Sequence, residues 1–186
     1  PKLMPWLIPF LLNTKKEKFL SIINAIQELT NDSVDQHLTL AKGTSAFKYI
    51  KLGDFTLLYP DKYEFDLDNF ENNLRIKYGF KMRELNRDNL LDNDPFLGKN
   101  YNCGALFENH GWITSPENYM KELANHFKRN GGKVITEEVI KITGNKVLTS
   151  KNNIIEADKI VICAGAWSGK LLKIINHSTN LETERG

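Results

Sequence analysis

The chain has 186 residues, 41% of them hydrophobic and 26% charged, with a net charge of +2. That length suits one domain or parts of two, and the apolar share is enough to bury a core. The near balance of charge, with no basic cluster interleaved with aromatics, gives no electrostatic footprint for nucleic acid.

Taken in chain order, the run Leu3–Leu12 is apolar but interrupted by Pro5 and Pro9. It is too short for a membrane-crossing helix, which needs about 20 apolar residues, and is expected to be a buried leading segment. A segment touching a membrane surface or another domain is the alternative. No basic stretch and small-residue cleavage site mark it as a signal peptide. From Lys15 to about Ala41, Phe19, Ile22, Ile23, Ile26, Leu29, Val34 and Leu38 recur at helical spacing. Asn31-Asp32-Ser33 divides this run, which predicts two helices forming an arm with a polar outer face.

Phe47–Leu52 and Phe55–Tyr59 read as two strands joined by a tight turn at Gly53-Asp54. A helix is expected from about Glu64 to Lys77, with acids favoured in its first turn and Gly79 ending it. Met82–Leu85 reads as a short strand, Arg87–Leu91 as a short helix, and Cys103–Phe107 as another strand. Ser115 is placed to cap a helix whose first residue is Pro116, and Tyr119, Met120, Leu123, Ala124 and Phe127 form its expected inner face. Gly131-Gly132 ends it. Val134–Ile142 then reads as a strand, with Lys146–Ser150 and Ile154–Ala157 as a small hairpin. Lys159–Gly165 is continuously apolar after its lysine, the pattern of a strand buried on both faces of a parallel sheet. A helix follows over Ser168–Ile175.

Few residues carry a chemical signature. The strand end Ala164-Gly165-Ala166-Trp167 is small enough for a cofactor to approach the backbone, although a plain strand-to-helix turn needs the same residues. His110 is expected in a loop with Gly111 and Trp112, suited either to function or to a structural hydrogen bond. His37, His126 and His177 show no metal-ligand spacing, and no metal site is expected. Cys103 and Cys163 are far apart and outside any CxxC, so both are expected to be reduced, buried thiols. No GxGxxG is present, so a dinucleotide's phosphate-binding turn would have to come from elsewhere.

Several segments occur together in an order that resembles a known family. They are Met4-Pro5-Trp6-Leu7 with Phe10-Leu11, Gly53 to Tyr59, Asp94-Pro95, Gly104-Ala105-Leu106, and Gly111 with Pro116. Gly131-Gly132-x-Val134, Val139, Ala157-Asp158-x-Ile160-Val161, Gly165-Ala166-Trp167-Ser168 and the final Arg185-Gly186 complete the set. Together they resemble the flavin-dependent D-amino-acid oxidase superfamily, and within it the small subunit of bacterial D-amino-acid dehydrogenases. The resemblance implies an α+β fold: a mixed β-sheet substrate domain with a helical arm, joined to part of an α/β FAD-binding domain. Residues 1–114 would be substrate domain, 115–175 FAD domain, and 176–186 a return towards the substrate domain. Glu138 and Val139 would meet the adenine end of FAD, and Ala164, Gly165, Ala166 and Trp167 would pass close to the cofactor. Tyr59, His110 and Trp112 would lie on the substrate side.

The implied activity of a full-length parent is oxidative deamination of a D-amino acid onto FAD. The 2-oxo acid and ammonia are the products, and quinone or oxygen is the electron acceptor. A glycine-, sarcosine- or other secondary-amine oxidase is the nearest alternative, and a non-catalytic α+β binding module is the alternative of another kind. The chain is expected to be an internal piece without the amino-terminal GxGxxG segment or the carboxy-terminal part. Alone it should be apo, inactive and prone to self-association. A cytoplasmic location is expected, with peripheral attachment to the inner membrane as an option.

Overall fold

The computed structural model describes residues 4–177 and 179. The chain divides into two compact units that meet in sequence at Gly131 and Gly132. Each is described by itself.

The first unit opens with three helices: α1 (Met4–Asn13), α2 (Lys16–Thr30) and α3 (Ser33–Ala41). The two-helix arm thus forms as its spacing predicts, with Asp32 at the head of α3 accepting a side-chain hydrogen bond from Gln36 at 2.8 Å. The expectation of a buried leading segment fails. The run is helical, and Ile8, Leu11 and Leu12 are each more than half exposed.

β1 (Ile50–Tyr59), β2 (Met82–Asn86) and β3 (Cys103–Ile113) form an antiparallel sheet in the order β1-β3-β2. The expected hairpin around Gly53-Asp54 does not exist. Phe47–Tyr49, read as strand, forms a 3-10 turn, while Ile50–Leu52 and Phe55–Tyr59 belong to the one strand β1, which pairs along its length with β3, and the irregularity at Gly53-Asp54 is a bulge. A turn signal inside an apolar run cannot distinguish reversal from bulging; the distant partner strand decides it.

Between β1 and β2 lie α4 (Lys62–Leu67) and α5 (Asn69–Lys77), where a single helix was expected. Asp61 caps α4 by accepting from the Glu64 N–H at 3.0 Å. The break falls at Asp68, whose ψ of 4° leaves the helical range. α6 (Arg87–Asn93) carries a reciprocal cap between Asn86 and Asn89, and α7 (Pro116–Arg129) begins with Pro116 as read. Ser115 occupies the cap position of α7, but its hydroxyl takes a hydrogen bond from the Asn118 side chain rather than from the backbone.

Each sheet face is covered differently. Tyr59, Phe65, Cys103, Ala105 and Phe107 pack together on one face, and Leu85, Leu90 and Leu106 on the other. Tyr119 of α7 joins Ala41 and Ala46 in a third cluster. The predicted inner face of α7 is only partly realised, since Met120 is 60% and Phe127 52% exposed.

The second unit contains β4 (Val139–Thr143), β5 (Lys146–Thr149), β6 (Ile154–Glu156) and α8 (Ser168–Ile174). Its sheet is antiparallel in the order β4-β5-β6, and β5–β6 is the expected hairpin. The strand expected from Val134 begins only at Val139. The apolar run ending at Gly165 forms no strand, and Val161 is 81% exposed. A strand of this kind needs hydrogen-bonded neighbours, and no described segment of the chain pairs with it. For the same reason Cys163 is exposed, contrary to the expected burial, whereas Cys103 is buried. The architecture is α+β, as expected. The expected return at 176–186 lies almost wholly outside the described residues.

Candidate functional site

The expected loop around His110 is instead the second half of β3, and the sheet pairing places Lys51 opposite Trp112, Gly53 opposite His110, Phe55 opposite Phe107 and Tyr59 opposite Cys103. Directly opposed residues share a face, and alternate residues along a strand return to it. Tyr59, His110 and Trp112 therefore project from the same face. This depends on the bulge. From Gly53 to Phe55 β1 advances two residues, while β3 advances three from Phe107 to His110. The extra residue is absorbed at Asn109, which adopts a left-handed φ of 64° that Asn tolerates better than most residues. Without it, His110 and Trp112 would turn to the opposite face.

Sharing a face does not bring all three together. Tyr59 stands six residues along β1 from Gly53, roughly 20 Å at ~3.3 Å per residue. Its hydroxyl donates to Asp68 at 2.7 Å and lies 3.5 Å from the Asn72 amide nitrogen. Burial, reinforced by the Asp68 carboxylate, pushes the phenol above its ordinary pKa. Tyr59 is thus tied into the packing of α4 and α5. Trp112 lies over Gly53, where an added Cβ would come within 2.9 Å of the indole ring, so glycine leaves room for the indole to lie against the strand.

His110 lies beside two phenyl rings. Phe80 stacks on it with centroids 5.7 Å apart, and Phe55 is tilted at 5.6 Å. Among the described residues, neither imidazole nitrogen has a hydrogen-bond partner. The ring borders a cavity of about 660 Å³ between the helical arm, α5 and the sheet. Phe19, Ile23, Ile26, Leu74 and Phe80 supply its apolar lining, and Glu71, Arg75, Lys81 and Glu108 its charges. Arg75 lies over the Phe107 ring at 5.6 Å, donates to Asn72 at 2.8 Å and pairs with Glu71 at 3.3 Å. Sequence reasoning missed Phe80 and Arg75: an isolated aromatic after a helix stop and an i,i+4 ion pair both look like ordinary surface. His37, given no role, lines a second cavity of about 230 Å³ with Trp112 and hydrogen-bonds Tyr119 at 2.8 Å.

In the second unit, the Glu138 carbonyl accepts from the Ser150 N–H at 2.8 Å, and its carboxylate meets Lys170 of α8 at 3.3 Å. Val139 pairs with Thr149 at the start of β4. Gly165, Ala166 and Trp167 form a 3-10 turn leading into α8, so the Glu138–Lys170 pair ties β4 to the helix that follows this turn. Gly165 has φ 53°, and nothing lies within 4 Å of where its Cβ would be. Trp167 is 73% exposed. An open, left-handed glycine turn with no side chain over it is compatible with close approach by a planar cofactor. Beside these residues, Glu137 accepts hydrogen bonds from Thr149 at 2.6 Å and Asn153 at 2.9 Å. Those bonds, Thr149 first, hold its carboxyl below its ordinary pKa. Among the described residues, no cluster of three or more His, Cys, Asp or Glu side chains is arranged to hold a metal ion.

Comparison with known proteins adds identity to this geometry. A model of the family described as FAD dependent oxidoreductase matches residues 6–185. The chain is similar to a D-amino-acid oxidase from Bradyrhizobium diazoefficiens, with 31% identity over 191 residues, covering 100% of this chain and 45% of that protein. Its fold is similar to glycine oxidase from Bacillus cereus, with a TM-score of 0.67 and 22% identity over 80% of this chain and 43% of that one. It is also similar to L-proline dehydrogenase from P. horikoshii, with a TM-score of 0.64 and 18% identity over 79% of this chain and 41% of that one. The chain thus spans less than half the length of these relatives.

Proposed function

This chain belongs to the family of FAD-dependent oxidoreductases, and on that premise we propose that its full-length parent oxidatively deaminates D-amino acids. The observation carrying this reading is the 31% identity to a D-amino-acid oxidase across the entire chain. When bound, FAD would accept the hydride from the substrate's α-carbon. In this reading His110 and Trp112, on one sheet face, are substrate-side residues. The Gly165-Ala166-Trp167 turn, preceded by Ala164, leaves its backbone open to the cofactor. Glu138 and Val139, at the start of β4, would hold the adenine end.

His110 suits orientation of a substrate because no described residue engages its nitrogens while Phe55 and Phe80 pack against its ring. The chain alone would bind FAD weakly and lack activity, because its sequence contains no GxGxxG turn for the pyrophosphate. Its exposed Val161, Trp167 and Ile154 favour self-association of the chain alone. The parent would pass electrons to quinone or oxygen in the cytoplasm. No described helix is long and apolar enough to cross a membrane; the exposed α1 would support peripheral attachment to the inner membrane.

The test is anaerobic mixing of the flavin-loaded parent with D-amino acids, glycine and sarcosine in parallel. Bleaching of the flavin absorbance by D-amino acids, with release of 2-oxo acid and ammonia, is the expected result. Bleaching by glycine or sarcosine alone would replace this reading with that of a glycine- or secondary-amine oxidase. No bleaching by any amine would refute both.

A further inference from the structure

We propose that the cavity behind His110 is a side-chain pocket that makes the parent selective for D-amino acids with large apolar side chains. This rests on the reading of His110 as a substrate-side residue. The cavity is partly open to solvent and measures about 660 Å³, a volume in the range of small-molecule pockets. Glycine or sarcosine would leave nearly all of it to water, which occupies about 30 Å³ per molecule. Its inner surface is set by Ile23 and Ile26 of α2, Leu74 of α5 and Phe80, an environment that rewards burial of hydrocarbon.

The polar groups have a definite chemistry too. Arg75 pairs with Glu71 at 3.3 Å, and Lys81 and Glu108 also line the cavity. A wall carrying both signs suits a zwitterion better than a simple anion or cation. His110 stands at this wall with unengaged nitrogens, where it can donate to or accept from the substrate's polar end while the side chain enters the cavity. Phe80, stacked on the imidazole, and Phe55, tilted against it, narrow the orientations open to the ring before binding.

The test measures kcat/KM of the flavin-loaded parent for glycine, D-alanine, D-leucine and D-phenylalanine, in wild type and in Ile26→Trp. Ile26 is 52% exposed, so the larger ring can be accommodated without repacking a core while narrowing the cavity. Heats of binding of hexanoate and acetate give a second readout independent of turnover. In an apolar pocket one methylene discriminates by roughly tenfold or more. D-leucine and D-phenylalanine are therefore expected to exceed D-alanine by about tenfold or more. Ile26→Trp should lower kcat/KM for those two relative to D-alanine by a similar factor and weaken hexanoate relative to acetate. Equal rates for D-alanine and D-phenylalanine, or an Ile26→Trp variant that changes none of these ratios, would overturn the pocket while leaving D-amino-acid oxidation intact. Absence of turnover with every D-amino acid would overturn the underlying functional reading and the pocket with it.

Discussion

Replacing Tyr59 with Phe separates a structural role from a substrate-binding one. The hydroxyl donates to the Asp68 carboxylate at 2.7 Å from a side chain that is only 9% exposed. A hydrogen bond to a charged group contributes about 1.5–3 kcal/mol. Asp68 is only partly buried and can recover water, which pulls the expected loss to about 1–2 kcal/mol. Asn72 is fully buried but keeps the bond from Arg75 at 2.8 Å, so it loses only its weak 3.5 Å contact. In urea, with a slope of about 1.5 kcal/mol per molar, the midpoint should fall by roughly 1 M. The assay is urea unfolding of this chain followed by near-ultraviolet circular dichroism. Asp68→Asn and the double variant close the cycle, with a coupling of about 1 kcal/mol or more expected. The pH dependence gives an independent check. Because the folded phenol is raised above its ordinary value of 10.0, its stabilisation is complete below that pH and is lost as pH rises through the folded value. Tyr59→Phe should flatten that alkaline decline. An unchanged midpoint together with an unchanged alkaline limb would refute the assignment of Tyr59 to packing. The full-length parent carrying Tyr59→Phe should retain its wild-type KM.

Three further outcomes follow from the same reasoning. Glu137 is held below its ordinary value of 4.5 by Thr149 and Asn153, so its stabilisation is present above that pH and lost as pH falls through the lowered value; hydrogen exchange in β4 and β5 of Glu137→Gln should lose this acid sensitivity. In the full-length parent, Gly165→Val should reduce the flavin-to-protein absorbance ratio, since a branched residue is strained at φ 53° and its side chain would fill the open space proposed for the cofactor; His110→Ala should leave that ratio unchanged while lowering turnover. A thiol reagent should label the exposed Cys163 rapidly in this chain and leave buried Cys103 largely unmodified until unfolding, with peptide mapping as the readout.

Local rules account for much of the chain. The spacing of Phe19, Ile22, Ile23 and Ile26 specifies α2, Pro116 marks the start of α7, and Gly79 and Gly131 adopt the positive φ that ends the helices before them. These signals are legible because they act within a few residues, through helix periodicity, a fixed proline φ and the absence of a Cβ. The co-occurrence of short motifs in order was also legible, and it pointed to a flavoenzyme where no single motif could. Decisions between distant segments were not. Gly53-Asp54 looks like a turn until β3 is present to pair across it, and the extra residue at Asn109 that directs His110 towards Phe55 and Phe80 has meaning only against β1. The run ending at Gly165 carries the composition of a buried parallel strand, but a strand exists only when its backbone groups find neighbours. Composition and periodicity therefore determined which residues seek burial, while long-range pairing decided which of them obtained it, because strand register, sheet face and cavity walls are properties of two or more segments at once.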